Sequence, residues 1–135
     1  MKTPGRNLRH PKARGEWAEL RFITRAIELG FRPTKPWGEN APYDFAVEHN
    51  GHFLRVQVKC TCKKRLKSYV CSVSNKRGPY SSTQIDFVAA LIIPTNTWYI
   101  LPIAALRHSF DVWLNPHRKN SRYAEFQEAW HLLRR

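Results

Sequence analysis

The chain has 135 residues, enough for one domain with a real core and little room for a second. Its 42% apolar content, with five Trp, seven Phe and five Tyr, excludes a disordered chain, and no apolar run approaches the roughly 20 residues that span a bilayer. Lys and Arg number 23 against 10 Asp and Glu; this net charge of +13 favours a polyanionic partner, nucleic acid well ahead of an anionic membrane.

Residues 1–14 are rich in Pro, Lys and Arg and predict a basic arm ahead of a single domain at 15–135. The arm lacks the apolar stretch of a signal peptide, so the expectation is a soluble, cytoplasmic protein. Apolar spacing over 15–29 predicts a helix, with Gly30 as its C-terminal cap. On a wheel of about 100° per residue, Arg21, Arg25 and Glu28 share one arc, and Trp17, Leu20, Ile23, Ala26 and Ile27 fill the other side. Glu16 and Glu19 fall among the apolar residues. A carboxylate there is costly unless a cation or hydrogen bonds compensate it. Glu16 is in the first turn, where the helix dipole favours acids. Glu19 lies a turn further in and has no such explanation.

The segment 31–42 is a loop or irregular strand, broken by three prolines. Two strands around Asn50-Gly51 follow, the strongest short-range hairpin signal. KKRLK (63–67) leads into a strand at 68–74, and 75–83 is a turn-rich loop. A continuous apolar run at 85–94 predicts a buried strand, with Asp86 at its start as a structural residue. Strands at 97–103 and 110–114 flank a helical turn, and a basic loop holds His117, Arg118 and Lys119. RYAEFQEAWHLLRR (122–135) predicts a closing helix with Tyr123, Phe126, Trp130 and Leu133 on one face. The order indicates an α/β domain, a mixed central sheet flanked by helices. Cys60, Cys62 and Cys71 have neither the pairing of a secreted disulfide framework nor zinc-ligand spacing.

Register around the Asn-Gly turn carries the functional argument. If His49 pairs with His52, Asp44 lies opposite Gln57, and Lys59 projects from the same face. Phe45, Val47, Leu54, Val56 and Val58 fall on the other face, which is wholly apolar. A carboxylate, an amide and an ammonium then converge, with cross-strand Cβ atoms about 5 Å apart. Two carboxylates with an amide and a backbone carbonyl make an all-oxygen site, suited to Mg²⁺ or Mn²⁺ rather than zinc. Asp44 is the expected central ligand, with Glu19, the Gln57 side-chain oxygen and the Val58 carbonyl beside it. Lys59 is the expected catalytic cation, Glu16 a supporting residue, and the chemistry phosphodiester hydrolysis.

Pro42-Tyr43-Asp44, thirteen positions ahead of Gln57-Val58-Lys59, resembles the PD-(D/E)XK nuclease signature. The helix acid Glu19, eleven residues before Gly30, is similar to the first helix of archaeal Holliday-junction resolvases. GEWAE, KPWGENAPYDF and VQVKC together look closest to group I intron-encoded homing endonucleases of this type. The match covers residues 15–62, with one residue inserted between Pro and Asp, and Gln57 in place of the usual acid. The resemblance implies a restriction-endonuclease-like core, Mg²⁺ dependence and cleavage of double-stranded DNA. Long homing sites further imply a homodimer or homotetramer. A junction or repair nuclease, or an inactive DNA-binding relative, are the alternatives. Expected DNA contacts are Lys63, Lys64, Arg65 and Lys67 to phosphates, Lys76, Arg77 and Tyr80 from a groove-entering loop, and Arg118, Lys119 and Arg122.

Overall fold

A computed structural model describes residues 8–134. Half of the predicted basic arm, residues 1–7, lies outside that range. Its remainder does not stay an arm: helix α1 spans Pro11–Glu28, four residues earlier than the apolar spacing suggested. Pro11 occupies the first helical position, where its missing N–H costs nothing, and the His10 side chain accepts a bond from the Lys12 N–H.

Strand β1 (Arg32–Thr34) comes from the proline-rich segment, and β2 (Phe45–His49) and β3 (His52–Thr61) form the hairpin. Asn50 and Gly51 both have positive φ, 53° and 81°, the signature of a type I′ turn. That turn sets the register, and Phe45 pairs with Val56, Val47 with Leu54, and His49 with His52, as counted from sequence. β4 (Lys64–Arg65) and β5 (Ser68–Ser72) follow, then a small separate hairpin of β6 (Ser74–Asn75) and β7 (Gly78–Pro79). β8 (Phe87–Ile92) is wholly buried and returns parallel to β3, and β9 (Thr97–Pro102) turns back antiparallel to it. A single turn, α2 (Ile103–Leu106), leads to β10 (Asp111–Leu114).

The central sheet is mixed, in the order β1-β2-β3-β8-β9. One face carries α1, and the other is covered by the three-stranded sheet β10-β5-β4. α1 is seated by Ala18, Phe22 and Ala26, spaced four apart on one stripe. The Phe22 ring stacks on Phe45 at 5.6 Å and on Trp130 at 5.6 Å and meets Trp98 edge-on at 5.7 Å. This aromatic cluster rotates the helix away from the predicted face, leaving Leu20 and Ile27 63% and 58% exposed. Asp86 is structural, as expected: its carboxylate takes the Arg55 backbone N–H at 2.8 Å and the Arg55 guanidinium at 3.1 Å.

The predicted closing helix does not form. Residues after Arg122 make two short 3₁₀ turns, Ala124–Phe126 and Trp130–Leu133. Between them Glu128 has φ of 51°, which ends any helix. Its N–H donates to the Trp98 carbonyl at 2.7 Å, while its carboxylate accepts the Trp98 N–H at 2.8 Å and the Trp130 indole N–H at 2.9 Å. These tertiary bonds outcompete helix propensity. Tyr123 and Phe126 consequently pack on the small-sheet side of the molecule, and Trp130 and Leu133 on the α1 side.

Candidate active site

β2 begins at Phe45, but β3 runs on to Thr61, so a fork opens between them after the Phe45–Val56 pair. Asp44 sits in that fork. Its N–H donates to the Val56 carbonyl at 3.0 Å, and its Oδ2 accepts the Val58 N–H at 2.8 Å, a donor β2 no longer pairs. In a strand the N–H and C=O of one residue point to the same side. The Val58 carbonyl therefore projects toward the Asp44 side of β3.

Alternation sends Val56 and Val58 to the α1 face and Gln57 and Lys59 to the opposite face. Glu19 and Lys59 thus come from opposite sides of the sheet, and Asp44, in the open fork, is where they can meet. Burial raises the Glu19 carboxyl above its ordinary range, and the charge of Asp44 raises it further. Burial likewise raises Asp44, opposed by the Val58 N–H and by the positive charges of Lys59 and Lys35. Gln57 is half-buried on β3, and among the described residues its amide makes no hydrogen bond. Glu16 is exposed, and its charge raises the Glu19 carboxyl slightly further, after burial and Asp44.

Two residues belong to the site beyond those the sequence pattern singled out. Lys35, in the loop before Asp44, places its Nζ 3.9 Å from Glu19 Oε1 and 6.0 Å from the centre of the Phe45 ring. The only sequence signal for it was a cation in the same loop as Asp44. Ser74 accepts the Lys59 ammonium on its backbone carbonyl at 3.0 Å. A main-chain acceptor leaves no trace in residue type.

Tyr80 was expected to contact DNA from a groove-entering loop; it follows β7 in that loop but is buried at the foot of the hairpin. It is 5% exposed, its ring lies 5.6 Å from Lys59 Nζ, and burial together with Asp44 pushes its hydroxyl up to about 12. A ring enclosed in this way cannot present a face to a groove. Lys63, Lys64, Arg65, Lys67, Lys76, Arg77, Arg118, Lys119 and Arg122 are all exposed. Leu114 and Lys64 both pair with Tyr69, so the 115–122 loop leaves the small sheet beside the 63–67 cluster. Lys76 and Arg77 form the tip of the β6–β7 hairpin.

The donors fit a hard divalent cation. Asp44, Glu19, the Gln57 amide and the Val58 carbonyl offer oxygen alone, and the burial that raises both carboxyls is a cost to their charged forms that a bound cation would offset.

A mixed sheet with paired acids and a lysine at the opening between two strands is the architecture of the PD-(D/E)XK nucleases. The chain belongs to the PD-(D/E)XK endonuclease family, whose model matches residues 9–133. The family is one of nucleases, which implies a DNA substrate, and it generally uses divalent metals. Among solved structures the chain is similar to a bacterial homing endonuclease, I-Ssp6803I, with 28% identity over 92% of this chain and 91% of that one and a TM-score of 0.79. No curated protein matches the chain.

Proposed function

We propose that the chain is a Mg²⁺-dependent, site-specific endonuclease of the homing type, cutting both strands of duplex DNA and accepting Mn²⁺ in place of Mg²⁺. The observation that carries this reading is Asp44 held in the β2–β3 fork by the Val58 N–H, with Glu19 in its field. The homing assignment draws on the likeness to I-Ssp6803I over nearly the whole of both chains. Homing sites are long and a chain of 135 residues reads few base pairs, so the working unit is a homodimer or homotetramer.

Asp44 and Glu19, with the Gln57 side-chain oxygen and the Val58 carbonyl, would hold the ion. A divalent ion there supplies positive charge to the scissile phosphate and acidifies water beside it. Lys59 places an ammonium where negative charge grows on the phosphate oxygens. Gln57 brings no charge, so the side-chain donors contribute two negative charges, where an acid at that position would make three. Exposed Lys63, Lys64, Arg65 and Lys67 continue from the end of β3 and hold the phosphates of the flanking duplex.

The test is incubation with supercoiled plasmid carrying the target, in Mg²⁺ and in EDTA. Linear product in Mg²⁺ alone is expected, and Asp44→Ala and Lys59→Ala should abolish it while leaving duplex binding. Cleavage of four-way junctions in preference to linear duplex would replace the homing role with a resolvase. Duplex binding with no metal-dependent nicking would sink the enzymatic reading.

A further inference from the structure

The Lys59 ammonium is held by the two feet of one hairpin. Ser74, whose carbonyl accepts from Lys59 Nζ at 3.0 Å, is the first residue of β6. Tyr80, whose ring lies 5.6 Å from the same Nζ, directly follows Pro79, the last residue of β7. Ser74 and Pro79 are register partners, so the two feet are neighbours in space as well as the ends of the hairpin. Its other end is the exposed pair Lys76 and Arg77, fixed by an Arg77 N–H to Asn75 Oδ1 bond at 2.8 Å. From the Ser74 foot to Lys76 at the tip is two residues, about 7 Å at the usual rise of a strand. Among the described residues β6 and β7 pair only with each other and join neither larger sheet. The element is thus a short hairpin free of ladder bonds to the larger sheets and anchored at its feet, where Val73 and Tyr80 enter the core.

We propose that Tyr80 is a positioning residue for Lys59, and that the β6–β7 hairpin couples phosphate contact at Lys76 and Arg77 to the placement of the catalytic ammonium. The inference rests on the nuclease reading of Lys59 given above. A carbonyl on one side and an aromatic face on the other restrict a side chain that otherwise samples many rotamers. Phosphates drawn to the tip displace the feet, and Ser74 and Tyr80 carry Lys59 with them. The ammonium is then delivered to the scissile phosphate only when the flanking duplex is engaged, which links cleavage to correct docking.

Two measurements test this on the full chain. The first is single-turnover cleavage at saturating enzyme alongside duplex affinity without metal. Tyr80→Leu should lower the rate about tenfold with affinity unchanged within twofold, and Tyr80→Phe, which keeps the ring, should retain most of the rate. Lys76→Ala/Arg77→Ala should lose rate even at saturation. Recovery of full rate at saturation would show that the tip only binds and would overturn the coupling. Unchanged cleavage in Tyr80→Leu would overturn the positioning role. The second measurement covers a Tyr80→Leu chain that fails to fold, and a chain that never cleaves. In protein carrying ¹³C-labelled lysine, the Lys59 ε-methylene signal, assigned by its absence in Lys59→Arg, should lie upfield from the Tyr80 ring. Unlabelled duplex should move it in the native chain and not in Lys76→Ala/Arg77→Ala. A signal without ring shift, or one that moves equally in both proteins, refutes the proposal whether or not the chain is a nuclease.

Discussion

Asp44 works against the stability of the fold that holds it. Its carboxyl and that of Glu19 are both raised, from ordinary values of 3.8 and 4.5, with burial the first cause in each. A raised carboxyl binds its proton more tightly folded than unfolded. Its contribution to stability is therefore greatest at low pH and declines as pH climbs toward the folded value. Asp44→Asn keeps an oxygen for the Val58 N–H and discards the charge. It should raise the melting temperature of metal-free protein at pH 7, and the gain should vanish below pH 3.8, where the unfolded Asp is also protonated. Cleavage should fall on the order of a hundredfold or more. Thermal scans across pH in EDTA check the sign, and a variant less stable than the parent at neutral pH would contradict it. Lys35 gives the complementary case. Its ammonium, 3.9 Å from Glu19 and 71% exposed, sits where it repels an incoming cation. Lys35→Met should tighten Mn²⁺ binding about threefold, the scale of an exposed charge pair, as read by calorimetry without DNA. Both residues also show the reach of sequence. Asp44 was legible because an Asn-Gly turn and strand alternation fix its place by counting. Lys35 was not, because its partner Glu19 lies sixteen positions away, across the rest of α1 and the short strand β1 of a proline-broken segment that no periodicity describes.

At the scale of elements, the same division holds. The β2–β3 hairpin and β8 formed where the pattern put them, since each is specified by local chemistry, a type I′ turn in one case and a continuous apolar run in the other. The C-terminal segment carries apolar residues at helical spacing yet is bent twice into 3₁₀ turns. The cause is a single side chain thirty positions from its partner strand: Glu128 takes the backbone N–H of Trp98 and the indole of Trp130. That strand belongs to the sheet under α1, and Trp98 and Trp130 both touch the Phe22 ring that seats the helix. Glu128 therefore supports, through two tryptophans, the helix that presents Glu19. Removing it orphans two buried donors. Glu128→Ala should cost about 2 kcal/mol, the scale for hydrogen bonds to a charged acceptor, measured by urea unfolding. Glu128→Gln, which can still accept one bond, should recover part of the loss. If the alanine variant is as stable as the parent, the bend is dictated by packing alone.

Across the whole molecule, the excess positive charge is arranged rather than scattered. The net +13 includes exposed Lys63, Lys64, Arg65 and Lys67 just beyond β3, and Arg118, Lys119 and Arg122 leaving the small sheet at the same end. Lys76 and Arg77 stand on the hairpin whose feet hold Lys59. A duplex with its scissile phosphate at Asp44 would meet the 63–67 cluster and the hairpin tip together. Each phosphate neutralised releases condensed counterions, so the logarithm of the binding constant falls with the logarithm of salt at about 0.9 per contact. Six contacts from Lys63, Lys64, Arg65, Lys67, Lys76 and Arg77 set a slope of about −5 per protomer for duplex of any sequence. Engagement of the 118–122 cluster as well would steepen it to about −8. Fluorescence anisotropy in EDTA across a salt series measures the slope. Lys63→Ala/Lys64→Ala should flatten it by about 2 and weaken all duplexes equally, because phosphate contacts carry no sequence. A slope near −2 in the parent chain would mean that most of these cations face solvent in the complex. An unchanged slope in the double variant would move the DNA off the end of β3, and the docking that places the scissile phosphate at Asp44 would have to be abandoned.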